Sequence, residues 1–270
     1  LNKNLFKKDL YRNRVGMIIW GGVLIAITAL VLVTYPLLAN FEVEMTSMME
    51  GMDEDMGNVN ESMGYSSAMW SDILIFYGQY YGIYIIMIMS IFASITAANI
   101  VAKEEKNGTS EFLYTRPLTR GDVYWSKFIA MGTMVAFIFV LQSLIAVGGI
   151  EIFKQNNISY RTLLIMNVHG ATLVAFFAGL AYSVPILLGI RKGTIGMFLG
   201  FIFGTFFLDI ISKMAEDVSW LGYISPFHYL GLNGGPDFKL EGIPMSIMLV
   251  LAATLIFLAS RKFNNKDIAG

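Results

Sequence analysis

Side chains that could carry out chemistry are few in this sequence and far apart. The chain has no cysteine, which excludes disulfides, thiolate metal ligands and a thiol nucleophile. His169 and Asp209 are isolated ionisable residues within apolar runs, and no buried acid pair, histidine cluster or Ser/Lys dyad accompanies them there. The phosphate-binding loop GxxxxGK followed by Ser or Thr is also absent. The sequence therefore predicts that the chain is not itself an enzyme.

One long, charge-dense stretch lies between apolar runs. It covers residues 103–127 and reads KEEKNGTSEFLYTRPLTRGDVYWSK. Asn107-Gly108 is typical of a glycine C-cap that ends a helix. Thr119-x-x-Asp122 is typical of a capping box that begins the next one. The stretch is therefore predicted to be a turn-containing element that connects two long helices.

Within this element we predict a short helix that projects away from its neighbours. Thr109 or Ser110 can begin it, with Glu111 in the first turn. Arg116-Pro117 ends it. Its apolar and aromatic side chains are Phe112, Leu113 and Tyr114. Exposed aromatic side chains on a short rigid helix suit the groove of a partner protein; the alternative is a folded loop with a small core of its own, and composition alone does not separate the two.

The composition indicates that lipid surrounds the elements on both sides of this stretch. The chain is 56% apolar and only 14% charged, far from the balance of a soluble domain. A bilayer core about 30 Å thick requires roughly 20 apolar residues per helix. Six runs of suitable length predict an all-α polytopic membrane protein, and they cover residues 16–39, 73–102, 128–150, 162–190, 193–212 and 244–260.

The distribution of basic residues predicts the orientation of the six spans. If the spans alternate from a cytoplasmic N-terminus, 15 of the 19 Lys and Arg residues lie on the inner side. The positive-inside rule then places both termini in the cytoplasm. Residues 1–14, with five basic residues among apolar ones, favour an amphipathic helix in the inner interface before the first span. The alternative is a disordered basic tail.

Two outer segments carry distinctive patterns. Residues 40–72 contain acidic residues, no Lys or Arg, and methionines at three- and four-residue steps, which predicts an amphipathic outer helix. Thioethers can also bind Cu(I), but helical periodicity alone explains the spacing, so we predict no metal and keep a copper site as the alternative. Residues 213–243 are apolar yet interrupted by Pro and Gly, which favours short helices that dip back into the outer leaflet.

Two helical faces within the spans are candidates for packing or for contact with a transported molecule. In the second span, one face is predicted to carry Tyr77, Tyr80, Tyr81 and Tyr84. In the fifth span, glycines four residues apart form a small-residue face of the kind that lets two helices approach closely in lipid. These glycines are Gly196, Gly200 and Gly204.

The stretch at 103–127 resembles the segment that follows the second span in permeases of the ABC-2 type of ABC transporter. That segment typically has acidic residues, Gly-Thr, an acid before an apolar stretch, Arg-Pro, and a Ser/Thr-Arg turn before a lysine. The positions that match it here are Glu105, Gly108, Thr109, Glu111, Arg116, Pro117, Arg120 and Lys127. The layout of an inner interfacial helix, six spans and a broken outer segment is similar too, whereas the methionine-rich segment at 40–72 departs from the general pattern.

This resemblance implies a permease half that pairs with a second copy or a sister subunit and binds separate cytoplasmic ATPase subunits. ATP and Mg²⁺ would lie on those subunits, and this chain would bind no cofactor directly. The residues implied to couple to the ATPase are Glu104, Glu105, Gly108, Thr109, Glu111, Phe112, Leu113, Tyr114, Arg116, Pro117 and Arg120. Because spans two and five typically face the dimer centre in such permeases, the tyrosine and glycine faces become candidates for the substrate path or the dimer seam.

Two functions stay open on the sequence alone. The first is ATP-driven export, from a bacterial cell, of an amphipathic or hydrophobic substrate such as a peptide toxin, a bacteriocin or an antibiotic, which would give antimicrobial resistance. The permeases that export peptides from Gram-positive bacteria are the nearest comparison. The second is a permease-like subunit that transmits force for copper-site assembly or sensing without carrying substrate. Neither function involves nucleic acid, and both place the chain among membrane lipids.

Overall fold

The computed structural model describes residues 2–39, 47, 72–106, 119–154, 157–190, 192–214, 216–230 and 241–265. In this part of the chain, regular structure is helical throughout, without a strand. The α-helices are α1 (Lys3–Ala39), α2 (Ile73–Tyr80), α3 (Met87–Lys106), α4 (Arg120–Phe153), α5 (Tyr160–Leu188), α6 (Thr194–Met214) and α7 (Gly242–Asn265). A π-helix (Tyr81–Ile86) joins α2 to α3, and two 3-10 helices follow α6 at Glu216–Ile224 and Pro226–Leu230.

The predicted all-α polytopic fold is confirmed. Six helical segments among the described residues are long and apolar enough to cross a membrane, and they coincide with the six predicted runs. The second of them combines α2, the π-helix and most of α3. Several helices extend beyond the apolar runs, because polar residues that flank a run continue the same helix; α4, for example, begins at Arg120 rather than near residue 128.

The first helix differs from the prediction of a separate interfacial helix at residues 1–14. The segment is helical, but it continues without a break into the first span as the 37-residue α1, about 56 Å long at 1.5 Å per residue. No proline interrupts it near residue 15. Its N-terminal turn is held by contacts: the Asn2 backbone N–H donates to Ser126 Oγ at 2.8 Å, and Leu5 packs with Val123 and Phe263.

Spans two and four form the centre of the bundle and are the most buried of the six. Helix α5 packs against α3 on one side and α7 on another, α1 packs along α4, and α6 packs against α3. Helices α1, α4, α6 and α7 consequently leave long apolar faces exposed, as expected for helices whose other side is lipid or a second subunit. The tight turn between α5 and α6 uses Gly189 and Gly193, whose positive φ values of 70° and 76° favour glycine.

The segment between α6 and α7 packs onto the bundle through its second 3-10 helix. Ser225 Oγ donates to the Thr205 carbonyl at 2.7 Å and accepts from the Phe227 backbone N–H at 3.1 Å. The Phe227 ring lies 5.5 Å from the rings of Phe177 and Phe206. These contacts attach the second 3-10 helix to α5 and α6. Residues 231–240, the rest of the loop within the predicted re-entrant segment, lie outside the described residues.

Candidate functional site

The predicted coupling element at 103–127 is described only at its two ends. Its central residues, from Gly108 to Pro117, lie outside the described residues, as does most of the methionine-rich segment at 40–72. Glu104 and Glu105 lie in the last turns of α3, and Arg120 is the first residue of α4. The predicted cap is confirmed, because Thr119 Oγ1 accepts from the Asp122 backbone N–H at 3.1 Å and donates to Asp122 Oδ2 at 2.6 Å.

A buried lysine joins the two helices that carry these ends. Lys127 on α4 is only 6% exposed, and its Nζ donates to the Ile100 carbonyl on α3 at 3.1 Å. A buried ammonium is costly unless it is hydrogen-bonded, so this bond fixes the position of α4 relative to α3. Sequence comparison placed Lys127 at the end of the family pattern but did not show this role, since the acceptor is a backbone carbonyl 27 residues away.

The four tyrosines of the second span form two pairs rather than one continuous stripe. Tyr77 and Tyr81 are fully buried, with rings 5.5 Å apart. Tyr80 is half-buried and Tyr84 is 40% exposed, and their rings stack at 5.8 Å with an angle of 19° between the planes. Each pair is spaced i, i+4 on a helix. Only the second pair is accessible in the single chain, so the structure separates a packing pair from a pair available for contact.

The π-helix lies where these two pairs meet. It begins at Tyr81, immediately after α2. Opposite it, α5 carries Gly170, where a Cβ atom would collide with the Tyr81 hydroxyl. Glycine is therefore needed at this position for the close approach of the two helices. Short π-helical turns inside α-helices occur frequently at functional sites, which makes this part of span two a candidate for contact with a transported molecule.

The buried tyrosine pair gives a test of the packing. Gln142 Nε2 on α4 donates to the Tyr77 hydroxyl at 2.9 Å, whereas the buried Tyr81 hydroxyl has no hydrogen-bond partner among the described residues. We expect Tyr77→Phe to lower the free energy of unfolding by about 1 kcal/mol, because Gln142 loses the nearer of its two acceptors and keeps only Thr28 Oγ1 at 3.5 Å. The matched variant Tyr81→Phe removes an unpaired hydroxyl and should leave stability unchanged or raise it. Thermal unfolding in detergent measures both, and equal losses would contradict the assignment.

The glycine face of α6 is open. A Cβ added at Gly196, Gly200 or Gly204 would have no neighbour within 4 Å. Large apolar side chains flank the glycines, including Phe203 at 39% and Phe207 at 55% exposure. Among the described residues of the chain, this glycine face has no packing partner, which leaves its small residues as candidates for contact with a second helix.

The two isolated ionisable residues have partners in the structure. His169 is buried, and its Nε2 accepts from the Glu241 backbone N–H at 3.1 Å, which attaches the start of α7 to α5. The prediction that Asp209 is isolated is wrong: its Oδ2 lies 2.8 Å from Lys213 Nζ, and its Oδ1 lies 3.3 Å from His228 Nδ1. The i, i+4 spacing to Lys213 was a signal for the first contact, but the second depends on how the two 3-10 helices after α6 fold.

These side chains lie at contacts between helices. Asp209 and His228 bring α6 close to the 3-10 helix that follows it, and His169 connects α5 to the start of α7. Among the described residues, no group of three or more His, Cys, Asp or Glu side chains is placed to hold a metal ion. The candidate functional surfaces of the part of the chain that the structure describes stay the predicted ones: the ends of the 103–127 element, the accessible tyrosine pair and the open glycine face.

Comparison with known proteins assigns a family to this architecture. The family model described as ABC-2 family transporter protein matches residues 4–268, nearly the whole chain. A comparison with curated proteins found no match.

Proposed function

This chain belongs to the ABC-2 family of transporter proteins, and we propose that it is the permease subunit of an ATP-driven exporter. The observation that carries the proposal is a family match over residues 4–268 in a chain with six helices suited to crossing a membrane. The substrate would be amphipathic or hydrophobic, such as a peptide, a bacteriocin or a drug-like molecule. Both termini would be cytoplasmic, in agreement with the distribution of Lys and Arg residues.

ATP hydrolysis would occur on a separate subunit that docks at residues 103–127. The sequence has no phosphate-binding loop of its own. The element on which the ATPase would dock connects the end of α3 to the start of α4. The hydrogen bond from Lys127 to the Ile100 carbonyl joins the two helices near these same ends. Closure of an ATPase pair would therefore move spans two and three together, as a rigid body rather than as separate helices.

Movement of span two would reach the accessible tyrosine pair. Tyr84 lies 16 residues from Ile100, roughly 24 Å along the helix at 1.5 Å per residue. The π-helix lies between α2 and α3, so a shift of α3 would reorient Tyr80 and Tyr84. Stacked phenol rings offer apolar surface together with hydroxyl groups, which suits a substrate with both apolar and polar parts.

Replacement of the accessible tyrosines tests the proposed path. In liposomes that contain the permease and its ATPase, we expect amphipathic helical peptides or hydrophobic dyes to stimulate ATP hydrolysis. Tyr80→Ala with Tyr84→Ala should lower the stimulated rate several-fold and the basal rate much less, because the two side chains contact substrate and not the ATPase. Phe137→Ala is the matched control, since Phe137 is a 57% exposed aromatic residue of α4. Equal loss of stimulated and basal rates would show that the pair is structural.

A further inference from the structure

A groove runs along the membrane-facing side of the bundle between α4, α5 and α7. Its volume is about 400 Å³, within the usual range for small-molecule sites. Along α4 it extends from Phe128 to Val140, about 18 Å at 1.5 Å per residue. It is separate from the tyrosine pair and from the glycine face, because none of those residues lines it.

Small side chains create the groove and larger ones close it. The small residues are Gly132 and Ala136 on α4, Ala171, Ala175, Ala178 and Gly179 on α5, and Ala252 and Ala253 on α7. At one end α4 and α7 touch, where the Tyr124 hydroxyl donates to the Ile256 carbonyl at 2.6 Å. Among the described residues, those that line the groove carry no charge. Since its walls belong to three membrane spans, hydrocarbon is the complementary occupant.

Beyond the closed end of the groove, α4 and α7 carry groups suited to a phospholipid headgroup. Trp125, which is 39% exposed, lies edge-on to the lining residue Phe128 with the ring centres 5.7 Å apart. On α7, Ala253, Phe257 and Arg261 follow one another at i, i+4 steps from the rim of the groove. The Arg261 guanidinium lies 4.5 Å from the centre of the Phe257 ring. Tryptophan and arginine at the end of a span are typical of the membrane interface, where arginine attracts anionic lipids.

We propose that this groove binds one acyl chain of an anionic phospholipid whose headgroup lies beside Arg261. The lipid would come from the leaflet on the side of the chain termini, which is the cytoplasmic leaflet under the orientation proposed above. The bound chain would fill the space between α4, α5 and α7 and hold α7 against the central span. This inference concerns lipid binding and does not depend on ATPase docking or on the transported substrate.

Filling the groove tests the acyl-chain site. A Cβ at Gly132 has no neighbour within 4 Å, so Gly132→Leu places a side chain in the groove without a clash, and loss of a helical glycine favours folding. Native mass spectrometry of the detergent-solubilised full chain should show about one phosphatidylglycerol retained by the wild type. In Gly132→Leu, retention should fall at least about tenfold, which corresponds to a few displaced methylene groups. Gly148→Leu is the control, since Gly148 is equally open on the same helix but outside the groove.

Removal of the arginine charge tests the headgroup. Arg261→Gln should lower the preference for phosphatidylglycerol over phosphatidylcholine while a lipid remains bound. Arg14→Gln is the control, because Arg14 also covers an aromatic ring, that of Tyr11, but on α1. If the wild type retains no stoichiometric lipid, or if Gly132→Leu and Gly148→Leu behave alike, the acyl-chain site is wrong. If Arg261→Gln and Arg14→Gln behave alike, the headgroup assignment is wrong.

A second measurement requires no variant of the groove. Phosphatidylglycerol with a diazirine in its acyl chain should crosslink in membranes to peptides of α4, α5 and α7 that line the groove. Excess unlabelled phosphatidylglycerol should compete with this labelling. Labelling spread evenly over the exposed faces of α1 and α6 as well would overturn the proposal.

Discussion

Simultaneous replacement of Glu111, Phe112 and Arg116 by alanine is expected to abolish copurification of the ATPase subunit and to leave the six-span chain in the membrane. The three positions belong to the short helix predicted within the 103–127 element. An aromatic anchor flanked by charged residues is typical of an interface hot spot, where each truncation commonly costs about 2 kcal/mol or more. Such values are not additive, so we expect a combined loss of a few kcal/mol; each loss of about 1.4 kcal/mol weakens binding tenfold.

A matched control lies at the opposite end of the bundle. Asp217, Trp220 and Tyr223 match the first set in having an acid and bulky side chains, here two aromatic ones. All three are exposed on the first 3-10 helix. Their triple replacement by alanine should leave copurification unchanged, because under the proposed orientation this helix faces away from the cytoplasm. Retention of the ATPase by the Glu111, Phe112 and Arg116 variant would show that docking occurs elsewhere. Loss of the ATPase in the control would contradict the orientation.

The parts of the fold that follow from hydropathy were predictable from the sequence. Each of the six spans is a long apolar run, and in lipid a helix satisfies all of its backbone groups internally. The cap at Thr119 was predictable for a different reason: it depends only on two residues three apart in the chain, Thr119 and Asp122. The unbroken course of the first helix was not predicted. Asn2 and Leu5 contact residues of α4 and α7 that lie more than 100 positions away in the chain, and such contacts leave no signal in the local sequence.

Contacts between spans were the least predictable part of the candidate site. A face defined by helical periodicity contains all four tyrosines, yet the neighbouring helices bury Tyr77 and Tyr81 and leave Tyr84 exposed. The π-helix at Tyr81–Ile86 departs from α-helical periodicity, so it changes which side chains of the second span share a face. Likewise, the contact of Asp209 with His228 depends on how two 3-10 helices fold back onto α6. Sequence periodicity predicts which side chains share a face of one helix. It does not predict which residues of a neighbouring helix pack against that face.

The open face of α6 leads to the second large expected effect, which is loss of the pairing that the family resemblance implies between two copies of the chain. We expect Gly200→Leu to disrupt pairing of two copies in membranes, because close packing through small residues leaves no space for a leucine at the contact. The single chain should be unaffected, since a Cβ at Gly200 meets nothing within 4 Å. Thermal unfolding of the purified chain checks this, and Gly148→Leu, which adds the same side chain at an open position of α4, is the control.

The absence of cysteine allows the pairing to be measured directly. With no native thiol in the chain, Phe203→Cys introduces a single reporter on the exposed side of α6, next to Gly204. In a symmetric pair the same surface of both subunits meets, so oxidation in membranes should give a disulfide-linked dimer. Addition of Gly200→Leu should reduce that dimer at least about tenfold, which corresponds to about 1.4 kcal/mol, whereas addition of Gly148→Leu should not. A crosslink that survives Gly200→Leu would mean that α6 faces its partner through another side, and the glycines would then be surfaces for lipid or substrate.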